Sequence, residues 1–128
     1  MSLVDANVVL RYLLDDHPEL SARASEILEQ HSVTLLIEVA CEVVYVLQKV
    51  YGIDRGEIKA QLSNLLLEGL VHMDRPERFL SALRLYSSSK LDFVDTLLWA
   101  SHTVDQEEIY TFDAKLQKSL QPNSQEKS

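Results

Sequence analysis

Four acids stand in one recurring local context. Asp5 ends the apolar lead-in Leu3-Val4, and an apolar run resumes at Val8-Val9-Leu10. Glu42 follows Val39-Ala40-Cys41 near the start of a helical stretch. Asp95 lies in the first turn of a helix opening at Asp92-Phe93-Val94, and Asp113 comes almost at once after Glu108-Ile109-Tyr110-Thr111. Open α/β sheets hold their ligands at strand-to-helix passages, and right-handed crossovers bring such passages to one edge. Carboxylates gathered there raise one another's pKa and do not stay ionised together without cations. Hard oxygen donors without histidine or thiolate select Mg2+ or Mn2+ over zinc. Such ions polarise a phosphoryl oxygen and activate a water for in-line attack, so phosphodiester hydrolysis is the chemistry this set suits.

Each acid also has a plainer use. A strand-end Asp5 can simply open a turn. Glu42 can be a solvated acid in a first helical turn, although Cys41, Val43 and Val44 would leave an idle carboxylate there poorly solvated. Asp92 and Asp95 have the spacing of an N-cap and its third helical residue, which assigns Asp92 to capping, with a contribution through water open to it, and Asp95 to metal. Asp113 can be the N-cap of a last helix or can reach a metal through water. Glu38 reads as a surface acid, Cys41 as a buried small apolar residue, and Trp99 and the tyrosines as core or dimer contacts.

The elements that must position these acids alternate. An N-terminal strand at Leu3-Val4 leads into a helix carrying Val8, Val9, Tyr12 and Leu13, which Asp15-Asp16-His17 breaks. Pro18 opens a second helix to about Gln30. Val33–Ile37 reads as a strand, and the next helix ends at Gly52. Asp54-Arg55-Gly56-Glu57 is a capping box for the helix bearing Ile58, Leu62, Leu65 and Leu66. Leu70–Met73 is a short strand, Pro76 starts a helix, Ser87-Ser88-Ser89 is a polar loop, and a helix runs from Asp92 to about Val104. Glu108–Thr111 is the fourth strand, and Ala114–Leu120 a last helical piece. Strands alternating with helices imply parallel pairing. The expected fold is a three-layer α/β/α sandwich around a parallel sheet of about four strands, with a helical hairpin inserted around Leu36–Leu66.

A chain of 128 residues with 46% apolar and 25% charged residues fits one soluble domain, here 1–120, followed by a polar tail, 121–128, that should fray. No apolar run approaches a membrane span, and the N-terminus lacks the layout of a signal peptide. The single cysteine excludes an internal disulfide and fits a reducing, cytoplasmic compartment. The net charge of −8 leans away from nucleic acid, unless some of the acids are metal ligands whose bound cations reverse the local sign.

Val4-Asp5-Ala6-Asn7, Ala40-Cys41-Glu42-Val43-Val44, Phe93-Val94-Asp95-Thr96-Leu97-Leu98 and Tyr110-Thr111-Phe112-Asp113 resemble the four acidic motifs of the PIN domain, in order and spacing, over nearly the whole chain to about Leu120. The small size resembles the toxin ribonucleases of bacterial and archaeal toxin–antitoxin pairs. That resemblance implies a Mg2+- or Mn2+-dependent endoribonuclease acting on RNA. Such an enzyme is usually a homodimer, silenced by a small antitoxin whose C-terminal segment occupies the active-site groove. Carried over position by position, Asp5, Glu42, Asp95 and Asp113 are the metal and catalytic acids, Asn7 is a polar support beside Asp5, and Thr111 orients the last motif. Arg11, Lys49 and Lys90 are the basic residues nearest these motifs. Each is either a phosphate contact or a solvated surface charge.

Two other readings compete. An aspartyl-nucleophile phosphatase of the haloacid dehalogenase type also ends its first strand in an acid, but needs a second Asp where this chain has Asn7, and it needs a late lysine that is not evident. A non-catalytic relative binding RNA or a protein partner would be compatible with the acidic charge.

Overall fold

The computed structural model describes residues 1–121. The expected tail, apart from Gln121, lies outside the described residues. The elements are β1 Ser2–Leu3, α1 Ala6–Leu14, α2 Pro18–Gln30, β2 Val33–Thr34, α3 Ile37–Lys49, α4 Arg55–Leu67, α5 Pro76–Ser88, α6 Phe93–Asp105 and α7 Ala114–Ser119. They divide between two compact units, Met1–Pro76 and Glu77–Ser128. No helix among the described residues is long and apolar enough to cross a membrane.

In the first unit β1 and β2 run parallel, with Ser2 opposite Val33 and Leu3 opposite Thr34. One further parallel bridge joins Thr34 to His72. The expected sheet of about four strands is therefore corrected to two short strands and a bridge among the described residues. Hydrogen bonding explains where pairing stops. The strand expected over Val33–Ile37 ends at Thr34 because the Leu36 carbonyl already accepts from the Val39 and Ala40 N–H groups, both at 3.0 Å, and opens α3. The segment Leu70–Met73 pairs only around His72, whose N–H donates to the Val33 carbonyl at 2.9 Å while its carbonyl accepts from Leu35 N–H at 2.9 Å. The Leu70 and Val71 N–H groups both donate back to the Leu65 carbonyl, at 3.0 and 3.3 Å. They close α4 behind Gly69, whose φ of +75° is the left-handed turn that favours glycine. Those two donors are lost to any longer ladder.

The helices of this unit follow the apolar periodicity. α1 starts at Asp5 and stops where Asp15 turns left-handed at φ 46°. His17 caps α2, with Nδ1 accepting the Leu20 N–H at 3.0 Å. α3 and α4 form the expected helical hairpin, and Asp54 Oδ1 accepts the Glu57 N–H at 2.8 Å in the capping-box position. α1 packs on α2 and on α3, and α3 on α4. Val9, Val43, Leu47, Ile58, Leu62 and Leu65 are the buried stripe residues.

In the second unit α5 buries Phe79, Leu83 and Tyr86. Phe93, the first residue of α6, meets two of these rings edge-on, with centroids 5.8 Å from Phe79 and 5.6 Å from Tyr86. This is the offset geometry that aromatic quadrupoles favour. Ser87 and Ser88, expected in a loop, complete the last turn of α5. Their hydroxyls donate to the Arg84 carbonyl, and that of Ser88 also reaches the carbonyl of Leu85, one of the last four acceptors of the helix. The strand expected at Glu108–Thr111 is also corrected, since the segment carries no ladder. The Thr111 carbonyl accepts from Gln117 Nε2 at 2.7 Å, and the Tyr110 and Phe112 side chains are exposed. Arg78 ties the end of α6 down, with Nε 2.7 Å from Asp105 Oδ2 and a second contact to Glu107.

Candidate functional site

Asp5 occupies the N-cap of α1. Its backbone is extended, and its Oδ1 accepts the Val8 N–H at 3.0 Å. An acid at this position satisfies an otherwise unpaired helix donor and sits against the positive end of the helix dipole. The second oxygen, Oδ2, has no partner among the described residues. Asn7 is exposed one residue into the helix, and Glu42 is exposed on α3, which packs on α1. Cys41 beside it is half-buried. Burial first, then the charge of Glu38, pushes its thiol up, which keeps it protonated and a poor nucleophile. Arg11, one turn along α1 from Asn7, is held by Asp16 and Tyr51. Its NH1 contacts both Asp16 oxygens at 2.8 and 3.0 Å, and its NH2 donates to the Tyr51 hydroxyl at 3.1 Å. Lys49 is exposed at the end of α3.

The second unit brings three of the expected acids into electrostatic range. Asp95, in the first turn of α6, is half-buried. Burial, then the charges of Asp113 and of Asp92, raises its carboxyl above the ordinary value. Asp92 stands at the N-cap of α6, yet its carboxylate makes no capping hydrogen bond. Only its carbonyl serves the helix, accepting the Thr96 N–H at 3.1 Å. The capping role expected for Asp92 is therefore corrected, and its carboxylate is left to act on Asp95. Asp113 is the N-cap of α7, with Oδ1 accepting the Leu116 N–H at 2.9 Å. Thr111 sits against it, Oγ1 accepting the Asp113 N–H at 3.0 Å. Lys90 is exposed before α6.

A divalent cation suits this donor chemistry. Asp95 is an acid whose ionisation is opposed by neighbouring carboxylates, which is the repulsion that a bound cation relieves. Asp5 and Asp113 each engage one oxygen in a cap, and a cap fixes the direction of the other. No histidine or thiolate stands among the expected ligands, so the set is that of a hard ion. Among the described residues, no group of three or more His, Cys, Asp or Glu side chains is gathered closely enough to hold a metal.

Two features escape a reading of the sequence. The first is that Asp5, which reads as a strand end or turn, caps α1, a double use signalled only by the apolar period beginning just after it; the cap open to Asp113 from its sequence is present. The second is Arg23 on α2, exposed beside Ala24 and one turn before Ile27. It lies far in sequence from every acidic motif, so spacing alone gives it no role.

Residues 2–119 match a family model described as PIN domain. Comparison with curated proteins and with solved structures returns no match.

Proposed function

The chain belongs to the PIN domain family, a family of nucleases that in general need metal, and from that premise we propose that it is a Mg2+- or Mn2+-dependent endoribonuclease with Asp5, Glu42, Asp95 and Asp113 as its metal-binding and catalytic acids. The observation that carries this reading is Asp95, an acid whose proton affinity is raised first by its burial and then by the charges of Asp113 and Asp92. Carboxyls perturbed by burial together with neighbouring charges are candidates for a functional site. A bound divalent ion supplies a Lewis acid and an activated water. The chain's own residues supply the negative charge that holds the ion, with Thr111 orienting Asp113 and Asn7 supporting Asp5. The further proposal, from the resemblance of the four motifs in their order, is a cytoplasmic toxin of a toxin–antitoxin pair, homodimeric and silenced by its antitoxin.

The test is cleavage of single-stranded or looped RNA by wild type and Asp5→Asn, with and without Mn2+. Metal-dependent cleavage by wild type, reduced at least about a hundredfold in the variant, is the expected result. Equal cleavage by both proteins ends the assignment. Binding without cleavage by either would favour the non-catalytic reading, which the net charge of −8 keeps in view, and a trapped aspartyl-phosphate would favour the phosphatase.

A further inference from the structure

We propose that the cleft between α1 and α2 is a phosphate subsite for single-stranded RNA, built from Asn7, Arg11 and Arg23. The proposal rests on the nuclease reading for its choice of ligand and on the geometry of the first unit for its site. The cleft holds about 110 Å³ and has a floor of Val8, Ala24 and Ile27. That is room for roughly three to four waters at about 30 Å³ each, and so for a compact anion rather than a stacked base. Asn7 and Arg11 are four residues apart on α1 and share one helical face. Arg23 reaches the same cleft from α2.

The two guanidiniums differ in a way that suits the task. Arg11 is fixed by Asp16 and Tyr51. An arginine has five N–H donors, and its Nε–H is buried with no partner. Its NH2 keeps one N–H beyond the one it gives the Tyr51 hydroxyl, and a phosphate in the cleft can accept from it. Arg23 is exposed and has no hydrogen bond or ion pair among the described residues. It is an uncommitted positive charge on a chain of net charge −8. Asn7 adds an amide that can both donate and accept, as the ribose 2′-hydroxyl requires. The site also lies on the helix that Asp5 caps. Arg11 is six residues beyond Asp5, roughly 9 Å along the helix axis at about 1.5 Å per residue. A strand crossing Asp5 would thus present a neighbouring phosphate to this cleft. An acidic peptide offers carboxylates instead, with no hydroxyl for Asn7.

The test is fluorescence anisotropy of a labelled single-stranded oligoribonucleotide in EDTA, where no cleavage occurs, over a salt titration. Arg23→Gln is the principal variant because it breaks no contact. Arg11→Lys keeps the charge but loses the fork, and Lys59→Gln on α4 removes the same charge elsewhere. Arg23→Gln is expected to weaken binding about fivefold at low salt and to lower the slope of log affinity against log salt by about 0.7, one single-strand phosphate contact. Arg11→Lys is expected to weaken binding with little change in slope, and Lys59→Gln to alter neither. An unchanged slope for Arg23→Gln overturns the proposal. So do an equal loss for Lys59→Gln, no binding by wild type, and displacement by a glutamate-rich peptide as effective as by unlabelled RNA. Cleavage in Mn2+ is scored separately. Wild-type cleavage with an unchanged Arg23→Gln slope overturns the subsite alone, and a lowered slope without cleavage supports the subsite while overturning the nuclease reading.

Discussion

Asp113, the cap of α7, raises the proton affinity of Asp95 in the first turn of α6, and Asp92 adds to the effect after burial has made its larger contribution. A carboxyl whose folded pKa lies above its unfolded value has its charged form disfavoured by the fold. The penalty is absent below the unfolded pKa and fully present above the folded one. Removing this charge should therefore help the apo protein at neutral pH and do nothing in acid. Asp95→Asn is expected to raise the melting temperature slightly at pH 7 in EDTA, with the gain vanishing as the pH falls through the acid range. Mn2+ should stabilise wild type by mass action and stabilise Asp95→Asn much less. Thermal melts with and without the metal read both effects. A variant less stable than wild type in EDTA at pH 7 would contradict the repulsion.

Asp5 has two uses that different substitutions separate. Its Oδ1 caps α1 through the Val8 N–H, and asparagine caps as well as aspartate. Asp5→Asn should thus keep its stability within about 0.5 kcal/mol while losing metal-dependent activity. Asp5→Ala should lose the cap as well, at a cost of about 1 kcal/mol. Asp54→Ala, which removes the matching cap of α4, gives the reference for a purely structural cap. It should cost about 1 kcal/mol by urea denaturation.

The same double use explains what the residue order revealed and what it hid. The helices were readable because Pro18, Asp54 and Pro76 mark starts, Asp15 and Gly69 sit at stops, and the apolar period between them is strong. Strand composition extends further than strand pairing does. Val33–Ile37 and Leu70–Met73 have strand composition, but the groups that would extend their ladders are taken by the helix ends beside them, at the Leu36 carbonyl and at the Leu70 and Val71 N–H groups. Glu108–Thr111 has strand composition too, yet the Thr111 carbonyl serves Gln117. Such competition for backbone groups is a tertiary fact that propensity does not encode. At the candidate site the acids announced themselves by type and context. Asp92 reads as a cap because spacing cannot distinguish a carboxylate that caps from one that stands at the cap position with its oxygens elsewhere.

Thr111 supplies a test of positioning rather than of charge. Its hydroxyl oxygen accepts the Asp113 N–H at 3.0 Å and so fixes the backbone entering α7. Thr111→Ser keeps this acceptor and should retain most of the activity. Thr111→Val keeps the shape and loses the bond. It should cost about 1 kcal/mol in stability and lower kcat by roughly tenfold, on the scale of outer-shell metal-site partners. Rescue of activity by serine but not by valine identifies the hydroxyl as the operative group. Equal activity for both would assign Thr111 a packing role only.

Phe93 links the core of the second unit to its acids. Its ring lies edge-on to Phe79 and Tyr86, and its carbonyl accepts from the buried Thr96 hydroxyl at 2.7 Å. Because Phe93 is the first residue of α6 and Asp95 the third, the seating of this ring sets the start of the helix that carries the acid. Phe93→Ala removes a buried ring and both edge contacts, and should destabilise by about 3–5 kcal/mol. Phe93→Leu keeps much of the volume and should cost about 1–2 kcal/mol, chiefly the aromatic contacts. The decisive comparison is activity of Phe93→Leu well below its unfolding temperature. A fold retained with kcat reduced means that the ring positions Asp95, whereas full activity means that it supports the core alone.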